Sequence, residues 1–342
     1  MQALVLQEPG SFQFQSLPEP TPPGPGEALV RIHRVGVCGT DLHAFAGRQP
    51  FFTYPRILGH ELGVEVLAVG ADVTTVRPGD RCAVEPYLHC GHCIACRQGK
   101  PNCCRSLQVL GVHTDGGHRA RMLVPAAKLH RSAKLNFDQL ALVETLCIGA
   151  HAVGRAALQA GESIAVIGAG PIGLAVMQFA QAAGARVIAV DISATRLDFC
   201  RSHLGVEALV NATNGNVAEQ LETLTDGDLP TAVFDATGNP RSMHAAFEYP
   251  APGGRLIFVG LVQADIAFHD PHFHRRELTI LSSRNALPAE FTAVIGQMER
   301  GRIDTAPWIT HRAALPEVPA QFTAWTQPSA GVIKAMITMP DD

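Results

Sequence analysis

The feature that most constrains the fold is a glycine-rich segment at residues 168–173, Gly-Ala-Gly-Pro-Ile-Gly, which satisfies the pattern G-x-G-x-x-G. The apolar run 163–167 before it predicts a buried strand, segment 174–183 after it predicts a helix, and the apolar run 186–190 predicts a second strand. In such a unit the first glycine permits a tight turn, the second lets a pyrophosphate approach the backbone, and the third lets the helix pack on the strand. The segment therefore predicts a dinucleotide-binding unit, against the alternative of a glycine turn that holds no nucleotide.

A carboxylate and a guanidinium follow this unit at positions that bear on which nucleotide is bound. Asp191 lies 18 residues beyond Gly173, where a carboxylate accepts the 2′-hydroxyl of an adenine ribose and repels a 2′-phosphate. This favours NAD, while Arg196 on the next predicted helix keeps NADP open. The predicted cofactor contacts in this unit are Gly168, Gly170, Pro171, Ile172, Gly173, Asp191 and Arg196.

Length and composition exclude several classes of protein. The chain has 342 residues, enough for two domains, and its 46% hydrophobic and 17% charged residues describe a globular protein. A net charge of −4 and scattered basic residues argue against a nucleic-acid partner. With no apolar run of the roughly 20 residues that a membrane span needs, and no secretory leader at the start, we expect a soluble, cytoplasmic protein without a membrane partner.

The pattern of predicted secondary structure changes near residue 140. Before it, a proline-rich connection at 18–26 is followed by short β-like runs and frequent turns, which indicates a β-rich region. After it, segment 140–158 predicts a helix, and strands then alternate with helices as far as the apolar run 255–259. This alternation predicts an α/β region with a doubly wound parallel sheet. The alternation fades after about residue 286, and the run 331–337 predicts a last strand.

Five of the nine cysteines fall within fifteen residues, which points to a metal site rather than to disulfide bonds. The spacing Cys-x2-Cys-x2-Cys-x7-Cys supplies four thiolates, and a closed four-cysteine zinc site is structural because it leaves no position for a substrate. Cys103 is the alternative to Cys104 as the fourth ligand, and His89 and His92 are competitors with a poorer spacing. The predicted structural ligands are Cys90, Cys93, Cys96 and Cys104.

A second set of metal-type side chains is dispersed in the first region. Cys38 lies in Cys-Gly-Thr-Asp, and His60 and Glu61 lie in Gly-His-Glu. A thiolate, an imidazole and a carboxylate suit a catalytic zinc, which takes three protein ligands and keeps one position open. Alone, Cys38 is equally a small buried residue and His60 a core histidine. Only their occurrence together with the four-cysteine loop and the glycine loop favours a metal centre.

These motifs together resemble the zinc-containing medium-chain alcohol dehydrogenases over essentially the whole chain. One departure is that the family pattern G-H-E-x-x-G has glycine where Val64 stands, and this chain places it one residue earlier at Gly63. The resemblance implies an α/β protein with a GroES-like β-barrel catalytic domain, residues 1–150 and 287–342, around a Rossmann NAD-binding domain, residues 151–286. It further implies a cleft between the domains, a homodimer or homotetramer, and cofactor contacts at Thr237, Val259 and Ser283.

Within the family the chain is most similar to the polyol, sugar-acid and threonine dehydrogenase branch. That branch has a glutamate at the metal in Ala-x-x-Glu-Pro-Leu, which Glu144 supplies here, with Thr145 in place of the proline. Whether Glu61 or Glu144 touches the metal stays open. The resemblance implies zinc-assisted hydride transfer between an alcohol or ketone substrate and NAD. In this scheme Thr40 accepts the alcohol proton and His43 passes it to solvent, although Thr40 is also a common turn residue and His43 is equally a surface residue.

Three functions compete at this point. The favoured one is a zinc- and NAD-dependent dehydrogenase of a secondary alcohol. A zinc-free quinone or enone reductase of the same fold and a non-catalytic nucleotide-binding protein are the alternatives, and both conflict with the retention of the complete ligand set. The segment 47–55 between the ligand motifs is a candidate substrate wall, with Arg48 or Gln49 facing a polar substrate, or its aromatic residues simply pack the loop.

Overall fold

The computed structural model describes residues 1–340, so Asp341 and Asp342 of the predicted catalytic domain lie outside the described residues. The chain divides into two compact units. The first comprises residues 1–144 and 287–342, and the second comprises residues 145–286. The second unit is therefore an insertion in the sequence of the first.

The elements of the first unit are mostly short strands. The stretch before the insertion contains β1 (Gln2–Glu8), β2 (Ser11–Ser16), β3 (Glu27–Val37), α1 (Gly39–Phe45), β4 (Arg56–Ile57), β5 (Glu61–Val69), β6 (Arg81–Val84), β7 (Tyr87–Leu88), α2 (Ile94–Arg97), β8 (Gln108–Val109), β9 (Arg121–Pro125), β10 (Leu129–Arg131) and α3 (Phe137–Ala141).

The second unit alternates strands and helices. In order it contains α4 (Val143–Ala156), which begins just before the unit boundary, then β11 (Ser163–Ile167), α5 (Pro171–Ala182), β12 (Arg186–Asp191), α6 (Ala194–Leu204), β13 (Ala208–Asn211), α7 (Val217–Leu224), β14 (Ala232–Asp235), α8 (Pro240–Ala245), β15 (Arg255–Phe258), α9 (Asp270–Arg275) and β16 (Thr279–Ser282).

The remainder of the first unit follows the insertion and contains α10 (Pro288–Glu299), β17 (Ile309–Ala314), α11 (Val318–Trp325) and β18 (Lys334–Thr338). Short 3₁₀ turns lie at 101–103, 126–128, 246–248, 306–308, 315–317 and 328–330. No helix in residues 1–340 combines the length and the apolar character needed to cross a bilayer.

The first unit is built on a seven-stranded sheet in the order β10-β6-β5-β3-β18-β17, with β9 also paired to β3. A three-stranded sheet β2-β1-β4 and the pair β7-β8 complete it. Strand β3 alternates buried and half-buried residues, because one face packs on the core of the unit. Strand β18 pairs with β3, so the segment after the insertion completes the sheet that begins before it.

Packing explains why glycine stands at position 63, the position that departs from the family spacing. A side-chain carbon at Gly63 would lie 2.2 Å from the carbonyl oxygen of Phe137, so helix α3 can lie against β5 only if residue 63 is glycine. Val64 is fully buried in the core. The prediction of a single helix over 140–158 was wrong. The structure has two helices there, α3 and α4, with a break at Leu142.

The second unit contains a six-stranded sheet in the order β13-β12-β11-β14-β15-β16, with every neighbouring pair parallel. Counted from β11, this is the strand order 3-2-1-4-5-6 of a doubly wound dinucleotide-binding sheet. The central strands β11 and β14 are buried along almost their whole length, as expected for strands covered by helices on both faces. The predicted doubly wound parallel sheet is confirmed.

One polar side chain lies in the apolar core of the first unit without partners. His118 is fully buried, and neither ring nitrogen has a hydrogen-bond partner. Its ring lies 6.4 Å from that of Phe12, which belongs to a cluster with Phe45 and Phe322. Burial lowers the pKa of His118 to about 3, so the imidazole is neutral at physiological pH.

We expect His118→Phe to stabilise the protein. A buried polar group without a partner costs about 1–3 kcal/mol, and phenylalanine removes that cost while it retains an aromatic ring in the cluster. Thermal unfolding followed by circular dichroism should show a higher midpoint than wild type. A lower midpoint would mean instead that a buried water molecule satisfies the imidazole.

Candidate functional site

The four-cysteine loop folds into a lobe, hereafter the cysteine lobe, between β7 and β8. The sulfur atoms of Cys90, Cys93, Cys96 and Cys104 all lie within 4.8 Å of one another. The Sγ atoms of Cys90 and Cys104 are 3.4 Å apart and those of Cys93 and Cys96 are 3.5 Å apart. Cys103, the alternative fourth ligand, is exposed and lies outside this group.

Zinc fits this lobe. Four sulfur atoms bound tetrahedrally at the usual Zn–S length lie roughly 3.8 Å from one another, close to the observed separations. Backbone N–H groups of Cys96 and Arg105 lower the pKa of Cys93 to about 6, while loss of hydration and the Cys93 sulfur raise the pKa of Cys96 to about 12. Four thiols in such contact ionise together only around a cation, so the donor set suits a structural metal.

The second set of metal-type side chains, Cys38, His60 and Glu61, also comes together in the structure. Cys38 directly follows β3 and caps α1. His60 directly precedes β5 and Glu61 is its first residue, and β3 and β5 pair with each other. One ligand-type atom from each of these three residues lies within 4.8 Å of the other two. His60 and Glu61 are buried, and Cys38 is half-buried. Within residues 1–340, this group and the cysteine lobe are the two clusters with a metal-binding geometry.

Asp41 is a partner of this cluster that the sequence analysis did not identify. It is buried in the first turn of α1, and its Oδ2 accepts a hydrogen bond of 2.9 Å from the Cys38 backbone. Its Oδ1 lies 3.7 Å from Nδ1 of His60, and neither atom has a hydrogen-bond partner. A carboxylate behind an imidazole is the usual arrangement around a metal-bound histidine, because it orients the ring. The unsatisfied Asp41 oxygen and His60 nitrogen are therefore consistent with a zinc ion bound to the other nitrogen of the His60 ring.

Lys334 is a second partner missed from sequence. It stands at the start of β18 with 2% of its side chain exposed, and its Nζ donates to both Glu61 oxygens at 2.6 and 2.7 Å and to the Val37 carbonyl at 3.2 Å. Burial lowers the pKa of Lys334, but the charges of Glu61, Cys38 and Glu144 together hold the pKa above its ordinary value. Glu61 is thus held as part of a buried ion pair.

Glu144 is buried beside this cluster but outside the group of three. Its Oε1 accepts a hydrogen bond from the Tyr87 hydroxyl. Burial raises the pKa of Glu144, and the carboxylate also interacts electrostatically with His60 and Glu61. The structure therefore brings Glu144 near the candidate metal site, with Tyr87 as a further partner that the sequence analysis did not identify.

The predicted proton-transfer residues lie on α1. Thr40 is half-buried and follows Cys38 by two positions, whereas His43 is exposed one turn later. Partial loss of hydration and the neighbouring Arg48 lower the pKa of His43. In the candidate substrate wall, Phe52 and Tyr54 pack on the core, and the Tyr54 hydroxyl donates to the Ala44 carbonyl at 2.5 Å. Arg48 and Phe51 are exposed.

The glycine loop has the predicted strand–turn–helix context. Gly168 has a φ of +96°, which favours glycine, and Pro171 is the first residue of α5. A side-chain carbon on Gly173 would lie 1.7 Å from the Gly168 carbonyl oxygen, so the third glycine is required for helix packing. A carbon on Gly170 would contact only Arg196, at 3.4 Å, so the backbone at the second glycine is open on that side. Ile172 lies half-buried in the same helical turn.

Asp191 ends β12 and is bound to the glycine loop. Its Oδ2 accepts from the Ala169 backbone at 2.6 Å, and its Oδ1 accepts from the Ser193 backbone at 2.8 Å. The carboxylate therefore orders the turn of the glycine loop. Arg196, in the first turn of α6, lies over Gly170.

The other predicted cofactor residues follow the carboxyl ends of β14, β15 and β16. The Thr237 hydroxyl donates to Asp235 at 2.7 Å, and the Val259 backbone donates to the Asp235 carbonyl at 2.9 Å. Ser283 is buried, and its hydroxyl has no hydrogen-bond partner. A dinucleotide fits this edge of the sheet, where parallel-sheet proteins bind ligands and where the Ser283 hydroxyl still needs a partner.

Two sequence families match this chain. The alcohol dehydrogenase GroES-like domain matches residues 24–134, and the zinc-binding dehydrogenase family matches residues 171–300. Among curated relatives, L-galactonate-5-dehydrogenase of Escherichia coli K12 is 38% identical over 99% of both chains. Sorbitol dehydrogenase of Bacillus subtilis is 32% identical over 82% of this chain and 81% of its own length. The predicted GroES-like domain and the resemblance to the polyol and sugar-acid branch are confirmed.

Solved structures with the same fold include two that contain a nicotinamide cofactor. RspB of Escherichia coli CFT073, complexed with NADH, superimposes with a TM-score of 0.91 at 29% identity and 99% coverage of both chains. A putative zinc-binding dehydrogenase of Sinorhizobium meliloti 1021, bound to NADP, gives 0.89 at 29% identity and 98% coverage of both chains. The fold class is confirmed, and structures of this type hold either nucleotide.

We expect Lys334→Met to destabilise the protein strongly. The substitution leaves the Glu61 carboxylate buried without its cation, and breaking a buried pair in this way costs about 3–5 kcal/mol. Urea unfolding of metal-free protein should show the loss, and a second substitution, Glu61→Gln, should recover part of it. Lys134→Met, at an exposed lysine, is the control. An unchanged midpoint for Lys334→Met would show that the pair contributes little.

Proposed function

This chain belongs to the zinc-binding alcohol dehydrogenase family, and on that premise we propose that it oxidises a secondary alcohol of a sugar acid or polyol with NAD and a catalytic zinc ion. The observation that carries the proposal is the convergence of Cys38, His60 and Glu61 in a chain 38% identical to a sugar-acid dehydrogenase. The oxidoreductase class follows from family membership, whereas the substrate class and the cofactors are the proposal.

Two zinc ions are proposed. The cysteine lobe would hold the structural ion, and Cys38 and His60 would hold the catalytic ion with a carboxylate from Glu61 or Glu144. When bound there, zinc supplies Lewis acidity that lowers the pKa of an alcohol hydroxyl. The chain's own contribution is to orient the ligands, with Asp41 behind His60 and Lys334 behind Glu61.

The remaining side chains serve the proton and the cofactor. Thr40, two residues from Cys38, is proposed to accept the alcohol proton, and exposed His43 to pass it to solvent. The glycine loop is proposed to bind the pyrophosphate, since its second glycine leaves the backbone open. Asp191 is proposed to select NAD, since its carboxylate would repel the 2′-phosphate of NADP.

The zinc-free reductase alternative is disfavoured by the same geometry. A reductase that needs no metal has no use for seven metal-type side chains gathered into two compact groups. A non-catalytic nucleotide-binding protein likewise has no need for buried Asp41 behind His60. We therefore retain the dehydrogenase as the single proposed function.

We expect purified protein to contain two zinc ions per chain and to reduce NAD with an aldonate or polyol. Cys38→Ser should lose one zinc and lower kcat/KM at least about a hundredfold, because a Lewis acid contributes several kcal/mol to such a reaction. Elemental analysis and NADH absorbance over a panel of aldonates, polyols, threonine and simple alcohols provide the measurements.

Cys103→Ser is the matched control for this experiment, because Cys103 is an exposed thiol outside both metal groups. It should retain both zinc ions and full activity. A Cys38→Ser protein that keeps two zinc ions and wild-type activity would falsify the assigned metal role.

We expect Asp191→Ser to weaken NAD binding and to reduce the preference for NAD over NADP. Loss of a hydrogen bond to a charged group costs about 1.5–3 kcal/mol, or roughly a tenfold to hundredfold increase in the KM for NAD. Initial rates at varied NAD and NADP provide the comparison. Asp198→Ser, at an exposed aspartate of α6, is the control, and an unchanged KM in Asp191→Ser would refute the ribose contact.

A further inference from the structure

Tyr87 connects the cysteine lobe to the candidate metal centre. It opens β7, which pairs with β8 across the base of the lobe, with Tyr87 opposite Val109. Its hydroxyl donates to Oε1 of Glu144. Both side chains are buried, with 3% of Tyr87 and 6% of Glu144 exposed. A hydrogen bond to a carboxylate in a dry interior is strong, so this contact restricts how the Glu144 carboxylate can turn.

The Tyr87 ring is itself held in place by a column of packed and paired side chains. It meets the ring of Phe291 edge-to-face with centroids 6.2 Å apart, and Phe291 stacks on His130 at 4.8 Å. Nε2 of His130 lies 3.3 Å from Glu85, which forms a buried ion pair with Lys128. Because each member of the column is packed against the next, the phenol has little freedom to move away from Glu144.

Glu144 is the carboxylate of the site whose orientation most needs an external restraint. Glu61 already has both oxygens bound by Lys334, whereas Tyr87 binds one oxygen of Glu144. If Glu144 reaches the metal ion as proposed, it would do so through its other oxygen, Oε2. Electrostatic interaction of Glu144 with His60 places the carboxylate in the field of the candidate metal ligands.

We propose that Tyr87 is a positioning residue that holds Glu144 toward the catalytic metal, and that the cysteine lobe supports the catalytic site through this contact. The proposal rests on the proposed function in one respect, namely that Glu144 belongs to the metal centre. Partners of this kind behind metal-binding side chains typically contribute 10- to 100-fold to metal affinity or activity.

The test is a double-mutant cycle of Tyr87→Phe and Glu144→Gln, read out as zinc release to a chromogenic chelator. Tyr87→Phe removes only the hydroxyl and retains the ring that packs on Phe291. We expect it to accelerate release of one zinc ion about 10- to 100-fold while release of the other stays as in wild type. Glu144→Gln should act on the same ion, and Tyr87→Phe should add little in that background, because the two side chains act as a pair.

Tyr249→Phe, at a tyrosine of the second unit, is the matched control and should leave both release rates unchanged. The proposal is overturned if the two effects multiply, or if Tyr87→Phe lowers the unfolding midpoint without changing either release rate, since the phenol is then only a packing residue. A wild-type protein that releases two zinc ions but oxidises no alcohol contradicts the proposed function and not this proposal. A wild-type protein with only the lobe zinc contradicts both.

Discussion

The buried ion pair between Lys334 and Glu61 is the interaction on which the candidate metal site of the first unit depends. The two residues are 273 positions apart, yet the Lys334 ammonium binds both oxygens of Glu61 and the carbonyl of Val37, the residue before Cys38. One side chain thus joins the end of β3, the start of β5 and the start of β18, which are the strands around the candidate metal ligands. Since a buried charge is tolerated only with its partner, the site and the sheet stabilise each other.

The two candidate metal sites differ in how far apart in sequence their donor residues lie. The cysteine lobe takes all its donors from residues 90–104, so a local loop can form it with little help from the remaining fold. The cluster of Cys38, His60 and Glu61 takes its donors from the ends of two paired strands, β3 and β5. Asp41 lies behind His60, Lys334 binds Glu61, and Tyr87 binds the neighbouring Glu144. The geometry of the donor atoms at this site therefore depends on the fold of the whole first unit. These partners are buried ion pairs or buried hydrogen bonds, so none of them can be lost without a cost in stability.

Sequence alone predicted the features whose determinants are local. The glycine loop, the spacing of the four cysteines and the alternation of strands and helices all lie within short windows, and the sheet order and the sulfur cluster agree with them. Lys334 and Tyr87 were missed because their partners are distant in sequence, and a lone lysine in an apolar run was the only available signal for the first. The break at Leu142 was missed because apolar residues continue across it, while the helix directions are set by packing of α3 on β5.

The insertion of the second unit has a consequence for how the protein is made. Residues 145–286 form a contiguous segment with its own parallel sheet, so this unit can fold as soon as it leaves the ribosome. The first unit cannot, because β3 must wait for β18 and Glu61 for Lys334 until translation has passed residue 338. During that interval Cys38 and His60 lack their final geometry, whereas the cysteine lobe already has all four sulfur atoms. If both sites bind zinc as proposed, the cysteine lobe can take up its ion during synthesis, whereas the site at Cys38 and His60 can bind its ion only after residue 338 has been made.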